Sequence, residues 1–600
     1  MRAASPGTPD RPAAAARPAR IGNMSGFYGD RSSAMREMLL GGELDYLTGD
    51  YLAELTMLIL AKDRMKDPAG GYARSFLAQV DDSLDLIAER GVKVVANAGG
   101  LNPAGLAEAL RERIAARGLD LMVAHVHGDD LTGRAAEFGV DGAIAANAYL
   151  GAFGIVACLD AGADIVVTGR VTDASLIVGP AAHHHGWGRG DLDRLAGAMA
   201  AGHVIECGTQ ATGGNNPFFD RPESGDPLRP GFPIAEIDAA GDAVITKHPG
   251  TGGAVTANTV TAQLLYEVTG ARYPGPDATL RLDTVAVTEE GPDRVRLTGA
   301  VGEPPPPRLK VSVNRLGGYR NEVTLHVTGL GIEAKTALLE RQLRALAPAP
   351  AELDIRVART DHPDADTQAA ASARVTVVAW DADRRVADAF PRAIVELALG
   401  TAPGVFLDAP PRRSSPYGVH TAGWVDQAAV PHLAVAPDGA ETEIPAPAAT
   451  AEVGPADTDL PPPPDGRVPG EPTARVPLGL LFGARSGDKG GDANIGVWAE
   501  DDAAHAWLAH ALDEGLLAEL LPETRGLAVE RHRLPRLRAV NFIVRGLLGH
   551  GVAHGARFDP QAKGLAEWLR SRHVDLPTRL LPDEARYPHS PSTTDPEETR

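Results

Sequence analysis

Cysteine is nearly absent: Cys158 and Cys207 are the only 2 in 600 residues. That excludes a disulfide framework and a thiolate metal cage, and a reducing, cytoplasmic setting is the expectation. Positive charge is short as well. Lys plus Arg total 58 against 79 Asp plus Glu, a formal charge of −21. No basic field exists to hold a phosphate backbone or an anionic lipid surface, so neither nucleic acid nor membrane is an expected partner. Aromatic residues make up only 5%, which leaves the core to Ala, Val, Leu and Ile. The nearest approach to a membrane span, Gly142 to Leu159, carries no charged side chain but is broken by Asn147, Gly151 and Gly154; a buried Ala-rich helix is expected there. No G-x-G-x-x-G fingerprint and no Walker ending occurs. The run His183-His184-His185 sits at the end of a predicted helix, where consecutive side chains point apart, so no metal site is expected.

What is present is a long chain with clear punctuation. At roughly 100–200 residues per domain, its length calls for several structural units. Residues 1–20 are rich in Ala, Pro and Arg without an apolar stretch and read as a disordered tail, not a secretory signal. A second break runs from 436 to 474, Pro-rich, acidic and poor in large apolar residues, and reads as a linker. A polar tail is expected at 581–600. The folded parts are then a body, 21–435, and a compact unit, 475–580. Within the body, the apolar runs Val92–Asn97, Leu121–Val126 and Asp164–Thr168 alternate with helical patterns, one of them starting at Asn102-Pro103 and ending at Gly118. That rhythm predicts an α/β fold: a mostly parallel βαβ sheet over 21–273, which places ligands beyond the carboxyl ends of its strands. Beyond Pro274, β-branched runs and two helical segments predict a second, α+β lobe over 274–435.

Five loops of the body carry residues suited to chemistry. Ile21–Arg31 offers Asn23, Ser25 and Arg31 as an anion cradle or, equally, a tight first turn with a surface ion pair. Asn97 in the next loop can orient a carbonyl, as readily as it can serve a turn. Arg170 and Asp173 stand beside a predicted helix start, where Arg170 can fork onto a carboxylate or simply pair with Asp173. Glu206 and Cys207 end an apolar run before a Gly-rich loop; Glu206 is the better acid–base candidate, and Cys207 is a nucleophile, a proton donor or a small buried residue. Finally, His248-Pro249-Gly250-Thr251-Gly252-Gly253 precedes a predicted helix over 255–267, so Thr251, Gly252 and Gly253 can hold an anion and His248 can move a proton.

The last unit opens with the apolar run Leu478–Phe482 and a loop, Gly483 to Val497, that contains Arg485, Asp488, Lys489 and Asn494. Helices and two further apolar runs complete a small α/β sandwich. Taken together, IGNMSGFYGDR, ANAYLGAFGIVACLDAGADIVVTGRVTDASL, HVIECGTQATGGN, HPGTGG and RSGDKGGDANIG resemble the acyclic terpene utilisation (AtuA-like) family. The resemblance covers about 20–435 and 475–575 and implies that the small unit has a ferredoxin-like fold.

That resemblance also implies a place in citronellol and geraniol catabolism, where acids are handled as CoA thioesters. The expectation is an enzyme acting on an acidic, branched acyl-CoA by lyase or hydratase chemistry. In it Glu206, His248, Cys207 and Arg170 do the catalysis, and Asn23, Ser25, Arg31, Asn97, Asp173, Thr251, Gly252, Gly253, Arg485, Asp488, Lys489 and Asn494 bind substrate or its anionic groups. A CoA thioester is expected as substrate, and no cofactor is firmly implied. The alternative is a non-catalytic assembly or metabolite-binding subunit; a homo-oligomer or a pathway partner is compatible with either.

Overall fold

The computed structural model describes residues 17–454, 460, 462–463, 466 and 470–582. Most of the expected first tail, most of the last and much of the second half of the linker lie outside the described residues.

Five parallel strands form the centre of the body. Ala19–Asn23, Tyr46–Gly49, Lys93–Ala96, Ile165–Thr168 and Val123–His127 lie side by side in that order. Short apolar, β-branched segments buried on both faces are what such a sheet requires, and the crossover helices cover it. The helix Pro103–Arg117 starts as its sequence dictates: the Asn102 side chain accepts from Gly105 N at 2.9 Å, Pro103 takes the first position, and Gly118 closes it at φ 67°. Antiparallel strands extend the sheet on both sides to eleven.

Several sequence expectations are corrected here. The uncharged run Gly142–Leu159 is not one helix but the strand Ala143–Ala148 and the helix Phe153–Asp160. Asn147 belongs to the strand, where its Nδ2 donates to Asp129 Oδ2 at 2.8 Å. A lobe boundary at 274 does not coincide with the sheets. Strands Ala286–Gly291 and Arg294–Thr298 extend the first sheet through Ala243–Lys247, and Leu433–Val435 returns to it beside Val123–His127. The second sheet is instead built on one long strand, Arg308–Thr328, which pairs with Ser415–Asp426, Ser372–Asp381 and Ala143–Ala148 and shifts register between Leu316 and Gly318. Part of the expected linker is also ordered, since Glu441–Glu443 pairs with Leu433–Val435. The strand that begins at Ala19 likewise takes the end of the expected first tail.

One helix of the body is buried almost all round. In Leu192–Ile205 every residue from Leu195 to Ile205 is buried, which its Ala- and Gly-rich sequence permits because small side chains let backbone approach backbone. A Cβ on Gly197 would lie 2.1 Å from the Gly241 carbonyl oxygen.

The C-terminal unit has a four-stranded antiparallel sheet in the order Phe482–Lys489, Asp492–Ala499, Ala539–Val544, Val529–Leu534. The Gly-rich segment after Phe482 is therefore a β-hairpin with its turn at Gly490-Gly491, not a loop. Its glycines answer a packing demand. A Cβ on Gly487 would lie 2.7 Å from the side chains of Tyr266 and Glu267, and one on Gly496 would lie 2.5 Å from Leu265 Cβ. Bare backbone is what lets the hairpin lie flat on residues 265–267 of the body.

Replacing Gly197 by Ala forces the Leu192–Ile205 helix off Gly241. Thermal unfolding is expected to show a loss of about 1–3 kcal/mol. Gly190→Ala, where a Cβ meets nothing within 4 Å, is expected to leave the transition in place.

Candidate functional site

A cleft of about 490 Å³ opens where the two sheets of the body meet the hairpin of the C-terminal unit. That size suits a small-molecule ligand. Its wall contains Asp50, Glu54, Arg170, Asp173, Glu206, Glu267, Lys310, Asp488, Lys489 and Lys563, with Tyr149, Tyr266, His420 and Cys207 among them. They come from segments spread across both sheets of the body and the C-terminal unit.

Asp50 follows the parallel strand Tyr46–Gly49 at its carboxyl end. Its backbone N donates to Ser25 O at 2.9 Å, and its side chain accepts from Asn97 Nδ2 at 2.6 Å. Arg170 follows the strand Ile165–Thr168 and is 3% exposed. One guanidinium nitrogen donates to Leu52 O at 2.8 Å and lies 2.9 Å from Asp173 Oδ1, while the guanidinium stacks 4.2 Å over the Tyr149 ring. Lys310, from the long strand of the second sheet, approaches the same ring at 4.9 Å and lies 3.2 Å from Glu54 Oε1. A single phenol is thus flanked by two cations.

Glu206 stands at the end of the buried helix Leu192–Ile205. Asn23 Nδ2 donates to the carbonyls of Ile205 and Glu206 at 2.5 and 2.9 Å, which ties down a helix end that no following turn satisfies. A Cβ on Gly26 would lie 2.5 Å from the Cys207 carbonyl carbon, so the first loop can close over this corner only as glycine. Glu206 Oε1 is 3.0 Å from His203 Nδ1, while Oε2 is buried without a protein partner. Burial, with the Asp173 carboxylate nearby, pushes Glu206 well above the usual carboxylate range, and the same causes act on Asp50. The Cys207 thiol is likewise raised, by burial and then by Glu206. It stays protonated, which suits a proton donor better than a nucleophile.

Two other carboxylates, Glu54 and Glu267, are held ionised. Burial works against Glu54, but the Lys310 ammonium overrides it and keeps Glu54 well below the usual range. Lys563 does the same for Glu267, at 3.0 Å from its Oε1. Glu267 sits at φ 56°, a left-handed conformation that a non-glycine residue adopts only under restraint. The restraint comes from the other domain. Asn494 Oδ1 accepts from Glu267 N at 2.8 Å, and Asn494 Nδ2 donates to Leu265 O at 2.7 Å. Asp488 is pushed up to about 6 by burial and by Glu267.

The sequence candidates therefore divide into layers. Arg170, Asp173, Glu206, Cys207, Asp488 and Lys489 line the cleft. Asn23, Ser25, Asn97 and Asn494 stand behind it and position what does. Arg485 also acts from behind: it bonds Gln210 Oε1 at 2.6 Å and stacks 4.5 Å over Tyr266, fastening the C-terminal unit to the body.

The remaining candidates do not line the cleft. Arg31 is spent on Glu37 at 2.8 Å and on Pro230 O at 2.9 Å. His248 is buried away from the cleft, its Nε2 3.0 Å from Met38 O and its ring packed on Gly41 and Gly42. The segment Thr251-Gly252-Gly253 is tied to its own surroundings in the body. The helix begins at Ala257 behind a Thr256 capping box and ends at Leu264, while Gly253 N donates to Asp226 O at 2.7 Å and the Thr251 hydroxyl to His248 O. Those donors are satisfied within the fold.

Sequence reasoning missed Asp50, Glu54, Tyr149, Glu267, Lys310, His420 and Lys563. Asp50 carried a usable signal, its place after a parallel strand, which is the rule that found Arg170. The others carried none, because their neighbours in the cleft come from distant parts of the chain. His183, His184 and His185 do point apart, to Asp160, Arg17 O and Ile237 O. Among the described residues no group of three or more His, Cys, Asp or Glu is placed to hold a metal ion, and no helix is long and apolar enough to cross a membrane.

Comparison with known proteins bears on both domains. The model of the acyclic terpene utilisation family protein AtuA matches residues 19–436, and that of the AtuA ferredoxin-like domain matches 476–575. No curated protein matches the sequence.

Behind the cleft, buried Asp129 accepts from Arg170 N at 2.9 Å and from Asn147 Nδ2, both through Oδ2. Burial pushes Asp129 up from 3.8 to about 7, so the folded protein keeps a proton that the unfolded chain has released. Its contribution lowers stability as pH rises from about 4 to about 7. Asp129→Asn, which can keep an oxygen at the Oδ2 position, is expected to reduce that decline; urea unfolding at about pH 4.5 and about pH 7.5 measures it.

Proposed function

The chain belongs to the acyclic terpene utilisation family AtuA, and from that premise we propose that it is an enzyme that delivers a proton to the carbon beside an acyl carbonyl, on an acidic, branched acyl-CoA. The observation that carries the reading is Glu206: a buried carboxyl, kept protonated, with one oxygen unengaged, in a cleft lined with cations. A carboxyl held in that state at neutral pH is a general acid in waiting.

Lyase and hydratase chemistry share this requirement. In cleavage of a 3-hydroxyacyl thioester, a base takes the hydroxyl proton, the C2–C3 bond breaks, and the enolate carbon C2 takes a proton. In hydration of an unsaturated thioester, water adds at C3 after losing a proton to a base, and C2 is again protonated. Glu206 supplies the C2 proton in both. Asp173 lines the same cleft as a carboxylate to take one from hydroxyl or water. Arg170 and Lys310, both held against the ring of Tyr149, place positive charge where an enolate oxygen would develop negative charge.

The volume of the cleft suits the acyl end of such a substrate, with Phe27, Leu52, Leu55 and Leu58 offering apolar wall to a branched chain. Arg31 and the Thr251–Gly253 turn are occupied internally, so in this reading the CoA nucleotide stays at the surface.

Glu206→Gln is expected to lower kcat/KM for a branched 3-hydroxyglutaryl-CoA or its unsaturated counterpart by roughly 100-fold or more. The thermal transition should not fall, because the replaced group is already neutral. Product masses distinguish cleavage from water addition. Turnover retained by the variant would overturn the role of Glu206; ligand binding with no turnover by the native protein would favour a metabolite-binding subunit.

A further inference from the structure

A general acid works only while its proton points at the substrate, and the flexible side chain of Glu206 is free to turn unless something holds it. Its backbone is held from two directions. Glu206 N donates to Gly202 O at 2.8 Å, and Asn23 Nδ2 donates to the Ile205 and Glu206 carbonyls. Gly202 also seats this helix end on the segment that follows Asp173, since a Cβ there would lie 3.1 Å from Ala174 Cα. None of these contacts reaches the carboxyl group. Among the described residues, the side chain that does is His203, three residues earlier on the same face of the helix, with its Nδ1 3.0 Å from Glu206 Oε1.

His203 is itself fixed. It is 2% exposed, and its ring packs on that of Tyr273 with centroids 4.9 Å apart. Burial, and then the Lys489 ammonium, pushes it down to about 4, so at neutral pH the imidazole is uncharged and carries a single N–H. The contact with Glu206 is therefore a hydrogen bond between two neutral groups, not an ion pair. With the acid proton on Oε2, the oxygen that has no protein partner, Oε1 is a bare acceptor, and the hydrogen between it and Nδ1 belongs to the histidine.

We infer that His203 is the positioning residue for Glu206: it donates its Nδ1–H to Oε1 and so keeps the protonated Oε2 turned to the substrate. This rests on the reading of Glu206 as the general acid and adds to it a residue that does not itself meet the substrate. When the O–H bond breaks, the proton goes to C2, where the electron pair of the enolate forms the new C–H bond; the O–H pair stays on Glu206, and His203 keeps its own proton. The hydrogen bond from Nδ1 then ends on an anion and is stronger than it was on the neutral acid. Arg170 and Lys489 favour that anion, while Asp173 and Glu267 oppose it. A contact that strengthens only as charge develops lowers the barrier without tightening substrate binding, so it belongs to kcat and not to KM.

Two variants of the full chain test this. His203→Leu removes the donor, whereas His203→Asn sets an amide nitrogen where Nδ1 stood. With branched 3-hydroxyglutaryl-CoA, His203→Leu is expected to lower kcat at least roughly tenfold with KM little changed, and His203→Asn to recover most of that loss. Infrared spectroscopy at neutral pH supplies a readout apart from turnover. The difference between the native protein and Glu206→Gln isolates the C=O stretch of the protonated Glu206 carboxyl. In the His203→Leu background the same difference should show the band at higher frequency, because Oε1 has lost its donor; His203→Asn should leave it in place. Circular dichroism checks that the variants fold, and if His203→Leu does not, His203→Gln, whose amide reaches the place of Nε2 instead of Nδ1, takes its part. A band unmoved in the variant without the donor overturns the inference whatever happens to kcat, and leaves Glu206 as the acid. Turnover retained by Glu206→Gln, or no carboxyl band in the native difference, overturns the reading of Glu206 and the inference with it.

Discussion

Removing an ionised side chain from water costs far more than any single contact returns, and the cleft of this protein concentrates that cost. The ionisable groups along its wall are tolerated only because most have been matched: Arg170 with Asp173, Lys310 with Glu54, Lys563 with Glu267 and Asp488. Where no partner is provided, the group gives up its charge, as Glu206 and Asp50 do by holding a proton. Arg170 with Asp173 is a local pair, but Lys310 with Glu54 and Lys563 with Glu267 join different parts of the molecule. The first sheet contributes Asp50 and Arg170, the second Lys310 and His420, and the C-terminal domain Asp488, Lys489 and Lys563. Charge balance in the cleft and docking of the C-terminal domain are therefore one requirement.

Small residues make that docking possible. The buried helix Leu192–Ile205 runs through the body on Ala and Gly, close against Gly241, and delivers Glu206 at its end. The hairpin of the C-terminal domain lies on residues 265–267 through Gly487 and Gly496. Asn494 then holds Glu267 in a left-handed conformation that the local chain would not choose. Strain of this kind persists only where surrounding contacts over-determine it, and here the over-determination crosses a domain boundary. Polar side chains behind the wall serve the same end. Asn23, Asn97 and Arg485 touch the chain or the carboxylates that form the cleft.

Local signals carried much of the architecture. Alternating apolar runs and helical patterns announced the parallel sheet, and Asn102-Pro103 and Gly118 marked a helix that begins and ends where they stand. The loops that follow parallel strands were recognisable as sites, since strand ends in such sheets gather ligands; that logic found Arg170 and Asp173. It misled where composition was taken for conformation. The Gly-rich run after Phe482 was read as a loop, although its glycines serve sheet packing and close approach. The uncharged run from Gly142 was read as a helix, although its first half pairs with Arg308–Thr328. The HPGTGG segment offered backbone donors that resemble an anion site, yet the fold consumes them itself.

The sequence by itself determined the family, the parallel core, the division into a body and a smaller domain, and the residue types available for chemistry, because each follows from composition, periodicity or motifs along the chain. Only the tertiary structure decided which of those residues share a cleft. Glu206, Lys310 and Lys489 lie far apart in sequence, and whether a carboxyl is protonated or an ammonium is paired depends on the neighbours folding brings within a few ångströms. Desolvation and Coulomb interaction act through space, so no reading along the chain could place Lys489 in one cleft with Glu54, Asp173 and Glu267, whose charges act on it.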